Sequence, residues 1–207
     1  MEEIKRMVEA QLKRRGITNK YVLKAFLDVP REYFIPNESK NLAYADLAVP
    51  IGCSQTISQP YIIAKMLELL EVSPGDKVLE IGSGSGYVQA LLSKIGCKTF
   101  GVEKIESLTN KSKQTLKSLK ITPRILTRDG SKGLIEYHPF DKILISAAIP
   151  EIPEELLTQL SSFGIIVAPI GTRMHQTLVK LKKSQQKIIK EEHDKCMFVP
   201  LLGEKGF

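Results

Sequence analysis

The sequence predicts an α/β fold: a doubly wound, mostly parallel sheet with helices ahead of it and an antiparallel edge at its C-terminal end. Three observations carry the prediction. Strand-like and helix-like stretches alternate from Lys77 to Leu160, a glycine-rich turn joins the first strand of that series to its helix, and three strand-like runs follow Gly164 with no helix between them. Such alternation puts helices on both faces of a parallel sheet, and an antiparallel edge on such a sheet is common.

In chain order, the first stretch reads as a helix ending near Gly16, with Ile4, Met7, Val8 and Leu12 at helical spacing. A second helix is expected after Thr18 or Asn19 as cap, carrying Val22, Leu23, Phe26 and Leu27 until Val29-Pro30 and Ile35-Pro36 stop it. From Asn37 to Pro60 no period persists, and Pro50, Gly52, Ser54, Thr56, Ser58 and Pro60 punctuate the segment, so an irregular connection is predicted. Long connections in compact domains are commonly functional. Pro60 suits the first turn of a helix with Ser58 or Gln59 near its cap. Ile63, Met66, Leu67 and Leu70 recur on one face of it until Ser73-Pro74-Gly75-Asp76 closes it.

The alternating series then reads Lys77 to Ile81 as strand, Gly86 to Lys94 as helix with Gly96 at its end, Thr99 to Glu103 as strand, and about Ser107 to Leu119 as helix. Strands at Arg124 to Thr127 and Lys142 to Ser146 and a helix from Pro153 to Leu160 complete it. The three late strands are Ile165 to Ile170, Gln176 to Lys182 and Ile188 to Leu202, and the short Ser184-Gln185-Gln186 link between the last two suits a hairpin.

The 207 residues carry 30 Lys and Arg against 23 Asp and Glu, a net charge of +7, with 43% hydrophobic and 26% charged residues. Those proportions match soluble globular domains, which excludes disorder, collagen and a bare helical coil. The longest apolar runs, such as Ile165 to Ile170, fall far short of the ~20 residues that span a bilayer. Met1 to Gly16 lacks the apolar centre of a secretory leader. Cys53, Cys97 and Cys196 are too scattered for a disulfide framework or a zinc site, and His138, His175 and His193 have no spacing that suggests metal ligation. A reducing cytoplasm is therefore expected, without a metal. The lysines are spread along the chain without interleaved aromatics, so neither nucleic acid nor a membrane is expected as partner.

The candidate ligand site is the turn. Val78-Leu79-Glu80-Ile81 runs into Gly82-Ser83-Gly84-Ser85-Gly86 and then a helix, where glycines permit a sharp bend and close ligand approach, and helix-terminal amides are expected as donors. The carboxyl end of the first strand is where doubly wound folds bind ligands. A dinucleotide fingerprint spaces its glycines G-x-G-x-x-G around a pyrophosphate; the spacing here is G-x-G-x-G with Glu80 two residues ahead. An acid there repels a pyrophosphate and suits an ammonium. S-adenosylmethionine has an ammonium and no phosphate, so it is the expected cofactor, with S-adenosylhomocysteine as product and a dinucleotide as the competing reading. Glu80, Gly82, Ser83, Gly84 and Gly86 form the turn's part of the site. Glu103, about 20 residues past Gly82 at the end of the second strand, is placed to accept both ribose hydroxyls. Asp129 with Gly130, after the third strand, is placed to meet the adenine amino group; the alternative is that Asp129 only caps its turn.

Four segments, Val29-Pro30-Arg31-Glu32-Tyr33-Phe34-Ile35-Pro36, Gln55-Thr56-Ile57-Ser58-Gln59-Pro60, Val78 through Tyr87, and Phe198-Val199-Pro200-Leu201, resemble in order and spacing the protein-L-isoaspartate (D-aspartate) O-methyltransferases. The resemblance runs from about Met1 to Gly206, and the Thr-Ile-Ser-Gln-Pro segment is its most specific part. It implies a seven-stranded, Rossmann-like methyltransferase fold in one domain, with residues 1–60 as N-terminal helices and substrate-side loop and 61–207 as cofactor-binding core. It also implies an enzyme that methylates the free carboxylate of isoaspartyl residues in damaged proteins and peptides, with acceptance of D-aspartyl left open. Ser58 is then the active-site residue, and Thr56, Ile57, Ser58, Gln59, Val199 and Leu201 meet the bound peptide. Two departures from the family pattern are Ala48, where a proline is frequent, and Arg128-Asp129-Gly130 in place of Gly-Asp-Gly, which puts Arg128 either near the adenine pocket or in solvent.

A carboxylate acceptor is already ionised at neutral pH, its reference pKa being near ~4, so no general base is required. Ser58 is expected to orient the acceptor, the alternative being a plain helix cap. Two other functions compete. An RNA or DNA amino-methyltransferase would carry an Asn/Asp-Pro-Pro-aromatic loop after the fourth strand, where this chain has Ser146-Ala147-Ala148-Ile149-Pro150. A binding module that holds S-adenosylmethionine without transfer would have no use for the Ser58 segment.

Overall fold

The computed structural model describes residues 2–122, 124–184 and 187–207. The chain opens on α1 (Glu2–Met7), extended by a wide turn at Val8–Leu12 and a tight one at Lys13–Arg15, and stops where Gly16 takes the left-handed conformation at φ 91°. Its apolar stripe of Ile4, Met7, Val8 and Leu12 is buried. Asn19 caps α2 (Lys20–Asp28), its side-chain oxygen accepting the Tyr21 and Val22 amides at 2.9 and 3.3 Å.

The predicted irregular connection is partly regular. After a tight helical turn at Asn37–Leu42, two short strands, β1 (Val49–Gly52) and β2 (Gln55–Ile57), pair antiparallel as a separate ribbon. Its reversal uses left-handed Cys53 and Ser54, at φ 53° and 57°. Such turns usually carry Asn or Gly, so the sequence held no hairpin signal there. Helix α3 (Pro60–Leu69) follows directly.

The core is a seven-stranded sheet in the order β5-β4-β3-β6-β7-β8-β9. Its strands are β3 (Lys77–Ile81), β4 (Lys98–Glu103), β5 (Ile125–Thr127), β6 (Phe140–Ile145), β7 (Leu160–Gly171), β8 (Gln176–Ser184) and β9 (Lys187–Cys196). Helices α4 (Tyr87–Ile95), α5 (Glu106–Ser118) and α6 (Glu154–Gln159) intervene. Strands β5 to β7 in this order are parallel, while β8 and β9 each run antiparallel to the strand before. Of the hairpin link predicted between the last two, Gln185 and Gln186 lie outside the described residues.

Two strand boundaries differ from expectation by five residues or more. Strand β7 begins at Leu160, because Leu160 pairs with Phe140 ahead of a register shift. The last strand ends at Cys196 rather than Leu202: residues 197–202 leave the sheet, and Val199 and Leu201 instead exchange backbone bonds of 2.8 Å with Ala148. That departure carries the C-terminal segment to the carboxyl end of β6.

Alternation along β3 sets the site. Val78 joins an apolar cluster with α2, α3 and α4 on one face, and Leu79 and Ile81 join a second cluster with Phe140 and Leu156 on the other. Glu80 therefore points to the first face, under α4. After β3 the chain winds outward through β4 and β5, then returns to β6 on the opposite side of β3. A crevice opens at such a reversal, at the strands' carboxyl ends.

Candidate active site

Gly82, Gly84 and Gly86 all lie at positive φ, 77°, 48° and 83°, which an L side chain resists. A side chain on Gly86 would also press within 3.0 Å of Ser112 in α5, and Gly84 lies against Ile51 of the β1 to β2 ribbon. Four of the turn's five amides are not free donors, which corrects the expectation drawn from helix ends. Gly82 and Ser83 donate to the Val102 carbonyl at 2.9 and 3.1 Å, Gly84 to Glu103 Oε2 at 2.9 Å, and Gly86 to the Ser83 carbonyl at 2.8 Å. A pyrophosphate would find these four groups already taken, and two carboxylates close by.

Glu80 is 1% exposed. Gln89 donates to its Oε2 at 2.7 Å and Ser146 to its Oε1 at 3.0 Å. Burial pushes the carboxyl up to about 7, against the pull of these two hydrogen bonds and with a small addition from Glu103. No cation pairs with Glu80 among the described residues. A buried, uncompensated carboxylate is costly, and a ligand ammonium would relieve it. Glu103, also buried, accepts from Gly84 through Oε2 and from Ile105 through Oε1, both at 2.9 Å. Each oxygen still has acceptor capacity.

Two adjoining cavities flank the turn and share Thr56, Gly82, Gly84 and Ser146. One is lined by Glu103, Gly130 and residues 199–202; the other by Glu80, Ser83, Ile57, Ser58, Tyr87 and Phe198. The Ser83 and Tyr87 hydroxyls are buried without partners among the described residues. Asp129 is not among the lining residues. Its Oδ1 accepts the Ser131 amide and hydroxyl at 2.9 and 2.7 Å, and its Oδ2 the Glu204 amide at 2.8 Å. It thus caps the Gly130–Lys132 turn and ties down the C-terminal tail. Arg128 pairs with Glu136 at 2.6 Å on the surface.

Outside these cavities an open groove of about 820 Å³ is lined by Ala48, Gln59, Ile62 and residues 195–198. Thr56, Ser58 and Phe198 line both the groove and the Glu80 cavity. Ser58 therefore stands at the junction between a compartment with a buried acid and a roomier neighbouring groove. It does not cap α3, whose capping residue is Gln59. Val199 and Leu201 line the inner side, with Glu103, rather than the groove.

Sequence reasoning missed four residues that shape this geometry. Gln89 and Ser146 hold Glu80; a lone glutamine in the apolar run from Tyr87 to Leu92 was the available signal. Arg31 is fully buried and donates to the Ser58 carbonyl at 2.8 Å, while Asp46 accepts the Tyr61 amide at 3.1 Å. No local pattern marks either.

Comparison with known proteins agrees with this geometry. The family profile described as Protein-L-isoaspartate(D-aspartate) O-methyltransferase (PCMT) matches residues 2–206. A protein-L-isoaspartate O-methyltransferase of Petrotoga mobilis is 47% identical over 209 residues, covering 100% of this chain and 98% of its own. Among solved structures, a protein-L-isoaspartate O-methyltransferase superposes with a TM-score of 0.88 at 27% identity, over 98% of this chain and 67% of that one. A Plasmodium falciparum structure, described as a putative protein-L-isoaspartate O-methyltransferase in complex with S-adenosyl-L-homocysteine, superposes with a TM-score of 0.83 at 30% identity, over 96% and 97%. A glycine turn beneath a buried acid, a serine between two compartments and a match spanning nearly every residue lead to one assignment: the chain belongs to the protein-L-isoaspartate (D-aspartate) O-methyltransferase family.

Proposed function

We propose that the chain is a protein repair enzyme that moves a methyl group from S-adenosylmethionine to the free carboxylate of L-isoaspartyl residues in damaged proteins and peptides. The observation that carries this reading is the position of Ser58 between the Glu80 cavity and the open groove. Family membership and the S-adenosyl-L-homocysteine held by the Plasmodium falciparum relative support it.

The residues fit the cofactor. Glu80 is a buried carboxyl suited to an ammonium, four of the turn's amides are already bonded and so do not cradle a phosphate, and Glu103 retains acceptor capacity for hydroxyls. When bound, S-adenosylmethionine supplies an electrophilic methyl on a sulfonium. Gly82, Ser83, Gly84 and Gly86 would pack along it, Glu103 would take the ribose, and Gly130 would form the floor beside the base. Asp129 meets the adenine amino group in this reading only through lone pairs left over from its turn and tail bonds.

The protein's own work is alignment and exclusion of water. Placing the acceptor oxygen in line can supply ~7–11 kcal/mol in favourable cases. The Ser58 hydroxyl donates to the acceptor carboxylate, a bond to a charged group contributing ~1.5–3 kcal/mol. Thr56 and Gln59 line the acceptor groove in this proposal, while Ile57, Val199 and Leu201 back it from the inner side. The resulting ester has a better leaving group than the acid, so the neighbouring backbone amide nitrogen attacks it, loses its proton and expels methanol to give a succinimide, which water can open to normal aspartate. Damaged proteins and peptides, not nucleic acid or a membrane, are the proposed partners, and a reducing cytoplasm the proposed compartment. Among the described residues no helix is long and apolar enough to cross a membrane.

The test uses labelled S-adenosylmethionine with matched isoaspartyl and aspartyl peptides. Base-labile label on the isoaspartyl peptide alone is expected. Label on RNA, or binding with no transfer, would replace this reading with one of the two competitors.

A further inference from the structure

Residues 58 and 59 join the small ribbon to α3, outside the main sheet, and side chains from elsewhere hold residues 58–61 at two points. Arg31, at 0% exposure, donates from Nη1 to the Ser58 carbonyl at 2.8 Å and from Nη2 to the Leu47 carbonyl at 3.4 Å. Its guanidinium also faces the Tyr87 ring, 5.6 Å from the centroid, and Tyr87 lines the same cavity as Ser58. Burial lowers Arg31 only to about 10, so it remains a charged donor at neutral pH, and hydrogen bonds from charged donors are the stronger kind.

The second hold comes from Asp46. Its Oδ1 accepts the Tyr61 amide at 3.1 Å and its Oδ2 the Arg15 guanidinium at 2.5 Å, with Arg15 lying over the Tyr61 ring at 3.3 Å. Tyr61 is in the first turn of α3, whose own capping residue Gln59 makes no side-chain bond. The helix thus takes its cap from a carboxylate in a distant loop, and a negative charge there also complements the positive helix end. One bond fixes the chain at Ser58 and the other at Tyr61, and the Ser58 hydroxyl is left unspent by capping.

We propose that Arg31 and Asp46 are positioning residues for methyl transfer, clamping residues 58–61 so that the Ser58 hydroxyl stays at the junction of inner cavity and groove. The proposal rests on the reading of Ser58 given above. Neither residue touches the reacting atoms: Arg31 acts through the Ser58 carbonyl and Asp46 through the Tyr61 amide, three residues on.

Asp46→Ala and Asp46→Asn, made in the parent and in a Ser58→Ala background, test it. The readouts are kcat and KM for an isoaspartyl peptide, Kd for S-adenosylmethionine, and Tm. Asp46→Ala is expected to lower kcat about tenfold while cofactor Kd stays within about twofold, since small misplacements of a positioning group act on turnover. Asp46→Asn, which keeps an oxygen for the Tyr61 amide, is expected to restore most of that loss. In the Ser58→Ala background the further loss from Asp46→Ala should shrink below about twofold, because groups acting through one another are not additive. Should Asp46→Ala fail to fold, Arg15→Gln removes the other partner of the same carboxylate from a more exposed position, with a smaller kcat loss expected.

Parent-level kcat in Asp46→Ala, or a loss of equal size in both backgrounds that tracks Tm, overturns the clamp. Parent-level kcat in Ser58→Ala overturns the serine reading itself. The two failures are distinct, because a failed clamp leaves Ser58→Ala impaired.

Discussion

The two sides of the site are built in opposite ways. On the cofactor side, β3, the glycine turn and α4 follow one another in sequence, and the bonds that fix the turn come from the adjacent strand at Val102 and Glu103. On the acceptor side, Ser58 lies on a segment without regular structure of its own, held by Arg31 and Asp46 and faced by Phe198 from the far end of the chain. Local construction makes a preformed pocket that tolerates change elsewhere. Remote construction makes turnover sensitive to contacts that never meet a substrate. The two sides should therefore fail separately.

The largest expected effect is at Ser58. Ser58→Ala should lower kcat for an isoaspartyl peptide ~10-fold or more, the worth of one hydrogen bond to a charged group, with cofactor Kd nearly unchanged by equilibrium titration. Equal loss of both would erase the separation between the two sides. Glu80→Gln should do the reverse, weakening cofactor binding by roughly tenfold through loss of a charged partner while kcat at saturating cofactor changes little.

The same carboxyl gives a pH signature. Burial holds ligand-free Glu80 at about 7, so below that pH it is protonated and cannot neutralise an ammonium. Cofactor affinity should fall as pH drops through 7 and level off above it, and Glu80→Gln should flatten that profile in calorimetric titrations. For the ligand-free protein the linkage runs the other way: a carboxyl raised above its unfolded value binds protons on folding, so its contribution to stability declines as pH rises from 4.5 to about 7.

Smaller effects concern the floor and the rim. A Cβ on Gly130 would sit 2.5 Å from Ile81 Cγ2. Gly130→Ala should destabilise by ~1–3 kcal/mol through overpacking, read as a drop in Tm, and should distort the cofactor side more than the acceptor side. The Arg128 to Glu136 pair is about 40% exposed on both partners, and exposed pairs contribute ~0–1 kcal/mol. Arg128→Gln should change neither Tm nor cofactor Kd measurably; a weakened Kd would bring Arg128 into the adenine pocket after all.

The same contrast explains what was legible in the sequence. Glu80, the three glycines and Glu103 could be read because strand, bend and helix are local, periodic and punctuated by residues with special backbone freedom. Strand β3 begins and ends where the pattern puts it, and Asn19 caps α2 as its position suggests. The β1 to β2 ribbon was not legible, since its turn places Cys53 and Ser54 in a conformation that neither residue advertises. Ser58 became a candidate only through likeness to a family, and its supports, Arg31 and Asp46, not at all. A buried arginine looks like any arginine in a string of letters; only packing reveals that its guanidinium is aimed at a serine carbonyl. Asp129 shows the converse, a polar residue in an eligible place whose oxygens are occupied by its own turn and by Glu204.

The bonded amides of Gly82, Ser83, Gly84 and Gly86 also bear on which nucleotides the pocket can take. ATP, GTP and the nicotinamide cofactors would each bring negative phosphoryl oxygens toward a loop in which these four donors are already bonded and the neighbours are acids. A loop built this way disfavours phosphate-bearing nucleotides by its own bonding, with no gate needed to shut them out.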